Sequence, residues 1–141
     1  MNPASSSVVT QLLGYAGLVP FVLPAVLVLT GSAHADVAST IASGYALAIL
    51  CFLCGSWWGM AQATANRATL LLSNAYLLLA LALYLFAAEW WSLAAALLLV
   101  GAWLCEQNAL LFPTYPGSYR RMRAILTLCA SASMAVLHLH G

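Results

Sequence analysis

The chain has 141 residues, 65% of them hydrophobic and only 5% charged: four basic and three acidic, for a formal net charge of +1. A soluble domain carries about 25% charged residues, so this surface suits lipid and excludes a water-soluble globular domain. Four cations are also too few for a nucleic-acid interface, which needs a dense basic footprint.

A helix rising ~1.5 Å per residue crosses ~30 Å of hydrocarbon with ~20 apolar residues. Five segments meet that requirement, at about 9–30, 39–62, 68–88, 90–111 and 121–138. They lack the alternating pattern and ~10-residue period of a membrane β-barrel. The predicted fold class is all-α: an integral membrane bundle of five transmembrane helices forming one transmembrane domain over residues 1–141. No second domain or fixed-period repeat is evident. The longest connection, near Pro113 and Arg120, has the Pro/Gly composition of a turn.

The first span carries Gly14, Gly17, Pro20 and Pro24. The two prolines lack an amide hydrogen, so the carbonyls of Ala16 and Pro20 lose their helical partners and the helix bends. Such a bend is either imposed by packing or serves as a hinge or ligand site. Ala33-His34-Ala35 resembles a signal-peptidase site, but residues 1–11 hold no Lys or Arg and the apolar run is long, so an intact span is expected.

The second span places Gly44 and Ala48 four apart, and Cys51, Gly55 and Gly59 likewise. Small residues at that spacing line one helix face and let another backbone approach closely, where lipid supplies no hydrophobic drive for association. The face is expected to pack inside the bundle, or alternatively against a partner. The third span offers Ser73, Asn74 and Tyr76 as interhelical hydrogen-bonding groups.

The fourth span carries Glu106, well inside its predicted bounds. A carboxylate in a membrane helix is costly unless paired or hydrated. The expected partner is one of Arg120, Arg121 and Arg123, which the short connection brings back to the same depth. A proton or ligand site and simple snorkelling are the alternatives. The fifth span is the shortest as predicted, and its arginines would snorkel to the headgroups.

All four basic residues, Arg67, Arg120, Arg121 and Arg123, fall in connections on the same side as the N-terminus. The positive-inside rule therefore puts the N-terminus inside and the C-terminus outside. These arginines could touch anionic headgroups, at about 1 kcal/mol each. Trp57, Trp58, Trp90 and Trp91 fall near span ends, where indoles favour the interface.

His34, His138, His140 and Asp36 share the outer side, but His138 and His140 point in different directions on a helix, so no metal site is expected. Cys51, Cys54, Cys105 and Cys129 read as reduced packing residues. No glycine loop, His-Glu-x-x-His or Gly-x-Ser-x-Gly motif is present. No catalytic residue and no cofactor is expected.

Three segments carry a family resemblance. They are Leu13-Gly14-Tyr15-Ala16-Gly17-Leu18-Val19-Pro20-Phe21, the run from Tyr45 to Gly59, and Tyr119-Arg120-Arg121-Met122-Arg123 with Leu126-Thr127. Together they resemble, in order and spacing, a family of small bacterial and mitochondrial membrane proteins of unknown function. That family includes a small mitochondrial transmembrane protein of animals. Ala46, Cys51 and Cys54 depart from its pattern but keep the face small and apolar. The resemblance implies a five-helix inner-membrane protein and no reaction.

The functional expectation is a non-catalytic, multi-pass inner-membrane protein, an accessory or assembly component of a larger membrane complex. Its expected partners are membrane lipid and other membrane-protein subunits. The alternative is a small-molecule or ion carrier, or a lipid-binding bundle, with a cavity lined by the Pro20/Pro24 bend, Asn74 and Glu106.

Overall fold

A computed structural model describes the backbone of residues 3–140 and the side chains of residues 8–140. The described chain is all-helical: α1 (Pro3–Ala16), α2 (Val19–Leu29), α3 (Ala35–Thr64), α4 (Arg67–Phe86), α5 (Trp91–Cys105) and α6 (Gly117–His140). A 3-10 turn at Ala88–Trp90 leads directly into α5. Five stretches are long and apolar enough to cross a membrane: Val8–Leu29, Ala35–Thr64, Arg67–Phe86, Ala88–Cys105 and Gly117–His140. The fold class is thus the predicted one, a five-span helical membrane protein.

Several boundaries differ from expectation, each for a local reason. The first span is two helices, broken at Gly17–Leu18, before either proline. The ring of Pro20 is incompatible with a continuing helix at the carbonyl of Ala16. Pro20 instead occupies the first turn of α2, where an amide hydrogen would be unpaired anyway. Pro24 lies buried inside α2.

The second span begins at Ala35, and its 30 residues make it the longest helix. At ~1.5 Å per residue it exceeds the hydrocarbon thickness, so it tilts or projects into the interface. Its end is set by Ala65, which adopts a left-handed φ of 53° while its N–H returns to the carbonyls of Ala61 and Gln62.

The fourth span ends at Cys105 and not near Leu111. Asn108 turns the chain, its side-chain oxygen accepting from the amide of Leu110 at 2.9 Å. Asn66 and Thr69 then capture the carbonyls of Leu110 and Leu111. Glu106 consequently caps α5 and is not embedded in it. The last helix starts at Gly117, immediately after Pro116, so the fourth span is the shortest and the fifth is a full 24 residues.

Packing forms a ring in which α2 meets α3, α3 meets α4, α4 meets α5, α5 meets α6, and α6 returns to α2. Helices α3 and α5 also touch across the ring, and α1 packs on α6. The interior is built largely from small side chains at helical spacing. Ala42, Ala46, Leu50, Leu53, Trp57 and Ala61 line the inner face of α3, and Trp91, Ala95, Leu98, Leu99 and Ala102 that of α5. Alanine at these positions lets backbones come close enough for dispersion contacts to hold the helices together in lipid.

Glycines report which faces are closed. A Cβ on Gly101 would lie 2.7 Å from the Tyr76 hydroxyl, which donates to the carbonyl of Leu98 and links α4 to α5. A Cβ on Gly59 would meet nothing within 4 Å. Gly101→Ala is therefore expected to lower stability by about 1–3 kcal/mol, the cost of disrupting a buried hydrogen bond. Gly59→Ala should leave it unchanged or raise it by up to ~1 kcal/mol through helix propensity. Thermal unfolding of the two variants in the same detergent measures the contrast.

Candidate functional site

The polar residues that a membrane helix can least tolerate converge at the end of the bundle carrying the arginines. Its frame is the short turn between α3 and α4. Asn66 caps α4, its side-chain oxygen accepting from the amides of Ala68 at 3.1 Å and Thr69 at 3.2 Å. Its amide nitrogen donates to the carbonyl of Leu110 at 3.1 Å, and the Thr69 hydroxyl donates to that of Leu111 at 2.7 Å. The connection between α5 and α6 is thereby fastened across the neck of α3 and α4. Phe112 drops from it into the core and meets the ring of Trp57 at 5.1 Å.

Glu106 sits above that aromatic pair. Its two oxygens receive the guanidinium of Arg123 side-on: Nη2 donates to Oε1 at 2.8 Å and to Oε2 at 2.9 Å, and Nε donates to Oε2 at 3.1 Å. The indole Nε1 of Trp57 adds a further bond to Oε1 at 3.0 Å. Both charged side chains are largely buried, at 13% and 10% exposure. One carboxylate thus joins α3, α5 and α6. With its acceptor positions taken by a guanidinium and an indole, it is suited to clamping helices together.

Beside the pair lies a small cavity of about 80 Å³ walled by Glu106, Phe112, Tyr115, Tyr119, Arg120 and Arg123 among others. The Tyr115 hydroxyl donates to Sδ of Met60 at 3.3 Å. Burial first, then the proximity of Tyr119 and Glu106, raises the Tyr115 phenol above its ordinary value, with Arg123 opposing. It therefore stays a neutral donor.

The other expected site residues are distributed differently. Arg120 donates to the side chain of Gln107 at 3.1 Å, and Arg121 is exposed, so neither pairs with Glu106. Asn74 is not buried interhelical glue: it is exposed and donates to Leu70 on its own helix. Gly14 and Gly17 face close neighbours, a Cβ lying 3.2 Å from Sδ of Met122 and 3.3 Å from the Tyr45 hydroxyl respectively.

The small-residue face of α3 does not pack within the chain. Gly44, Ala48, Cys51, Gly55 and Gly59 are all exposed, and no Cβ built on the three glycines finds an atom within 4 Å. The expectation of an internal groove is corrected. Both faces of α3 are rich in small residues, and the one bearing Ala42, Ala46 and Trp57 is turned inward, which brings Trp57 to Glu106.

Two tryptophans assigned to the interface are likewise core residues. Trp57 is 1% exposed, and Trp91 is 2% exposed with its indole donating to the Ser43 carbonyl at 3.1 Å. Trp58 and Trp90 do face outward. Among the described residues no three His, Cys, Asp or Glu side chains converge as a metal site. His138 stacks against Trp90 at 5.5 Å. The roles of Asn66, Thr69 and Trp57 were missed from sequence. Asn66 carried a usable signal, an N-cap residue immediately before a helical run, whereas a Trp-Trp pair gives no hint that one ring turns inward.

Residues 7–139, nearly all of the chain, match the family described as "Protein of unknown function (DUF3429)". A curated relative, Transmembrane protein 69 of Xenopus tropicalis, is 35% identical over 128 residues, covering 86% of this chain. The chain spans about half the length of that relative. No solved structure matches the chain.

If the pair acts as a clamp, its loss should be repaired by removing both charges together. Arg123→Met leaves Glu106 uncompensated and is expected to cost about 3–5 kcal/mol. Combining it with Glu106→Gln should recover most of that loss. Detergent melts of the single and double variants give the comparison, and additive losses would contradict a clamp.

Proposed function

The chain belongs to the DUF3429 family, and we propose that it is a non-catalytic component of a larger membrane assembly. In this reading the outer face of α3 seats a transmembrane helix of another subunit. The observation that carries it is the exposure of Gly44, Ala48, Cys51, Gly55 and Gly59 along one face, open at each glycine. Lipid gains nothing from such a face, whereas a second helix gains close backbone approach and dispersion contact along its length. The membrane proposed is a bacterial cytoplasmic or mitochondrial inner membrane, with the arginine-bearing end inside, as the charge asymmetry favours.

The carrier reading draws less support from the same residues. Asn74 bonds within its own helix, Pro24 is buried, and Glu106 is engaged by Arg123 and Trp57. They do not line a common path.

Gentle detergent extraction followed by native mass measurement tests the assembly. The native chain is expected in a species well above its own 14.9 kDa. The double variant Gly55→Leu/Gly59→Leu should be released as a free protein whose melting is not lowered, because a Cβ at either position meets no atom within 4 Å. Recovery of the native protein as a lone monomer from every preparation would sink the proposal.

A further inference from the structure

The arginine-bearing end holds a second recess, on the outside of the bundle. Trp103 in the last turn of α5 and Gln107 just beyond it, with Gly117, Arg120 and Arg121 in the first turns of α6, wall an open groove of about 270 Å³. Three properties of this groove favour an anion.

The first is uncompensated charge. Glu106 is neutralised by Arg123, and Arg120 hydrogen-bonds the neutral side chain of Gln107 and forms no ion pair among the described residues. Arg121 is exposed, and the one ion pair among the described residues belongs to Arg123. The second is an orphaned donor. The indole N–H of Trp103 is buried and has no acceptor, although the buried indoles of Trp57 and Trp91 both have one. Buried polar groups are rarely left unpaired, so this donor, on a residue that walls the groove together with Arg120 and Arg121, favours an acceptor there. The third is the start of α6, whose first-turn amides lack helical partners. At Gly117 no side chain covers the backbone, and nothing lies within 4 Å of where a Cβ would be.

We propose that this groove binds the phosphodiester of an anionic glycerophospholipid. Arg120 and Arg121 supply the charge and the Trp103 indole supplies a donor. The choice of a lipid over a free anion rests on what continues from the groove. Ile125 and Leu128, four and seven residues beyond Arg121 on the same helical face, are 40% and 61% exposed. Leu104, next to Trp103, is 56% exposed. Cations at the headgroup level with apolar side chains running away from them match a headgroup and its acyl chains. The site is independent of any partner at α3.

The test uses the full chain in mild non-ionic detergent, titrated with phosphatidylglycerol or phosphatidylcholine, with bound lipid counted by native mass spectrometry. Phosphatidylglycerol should be retained in preference to phosphatidylcholine. Arg121→Gln should weaken its binding about fivefold, the loss of one arginine–headgroup contact. Trp103→Phe, which deletes the indole N–H but keeps an aromatic ring, should weaken it as well. Arg67→Gln, at the same end but outside the groove, should change nothing, and unaltered melting of the variants identifies the effect as binding. Equal retention of the two lipids would overturn the proposal, as would an Arg67→Gln loss as large as that of Arg121→Gln. Displacement of phosphatidylglycerol by millimolar inorganic phosphate would show a free-anion pocket and overturn the lipid assignment.

Discussion

A carboxylate at the end of a membrane helix must find positive charge and hydrogen-bond donors before the chain can close around it. Glu106 finds both, in Arg123 of α6 and Trp57 of α3. Much of the geometry at this end follows from that requirement. Trp57 must turn inward to reach the carboxylate, so the inner face of α3 is the one it shares with Ala46, Leu50 and Ala61. Arg123 turns inward as well, while Arg120, one turn earlier, bonds Gln107 and Arg121 is exposed. Phe112 fills the space beneath Trp57, and Asn66 and Thr69 hold the loop that delivers it.

The rotation of α3 that serves Glu106 also has a consequence on the opposite side. The face bearing Gly44, Ala48, Cys51, Gly55 and Gly59 is left facing outward. In lipid, small residues on a helix face permit close approach of another backbone. The first span contributes by breaking at Gly17–Leu18, so that α2 packs on α3 and α6 while α1 packs on α6. The electrostatic clamp and the open helix face are thus two sides of one helix orientation.

Much of this protein could be read from its residues without coordinates. Seven charges among 141 residues specify the solvent, and the intervals between polar clusters specify five crossings, because hydrophobic thickness translates directly into helix length. The family resemblance carried by the runs near Gly14, Tyr45 and Tyr119 agrees with the match over residues 7–139. Boundaries were less legible where side chains compete with the helix for backbone bonds. Where the fourth span ends, Asn108 captures the amide of Leu110 locally while Asn66 and Thr69 hold the next carbonyls from another helix, and composition alone does not register that competition.

Solvent, number of spans and the need of Glu106 for a cation are local matters, written in hydropathy and charge, and they hold for any packing of these helices. Which arginine answers, which face of α3 turns inward and which tryptophans are buried depend on helix rotation. That rotation is set jointly by contacts among residues 49 and 17 positions apart in the chain, as Trp57 and Arg123 are from Glu106. In a chain where both faces of a helix are small and apolar, periodicity cannot choose between them. In the folded bundle the inward face is the one whose indole reaches the Glu106 carboxylate.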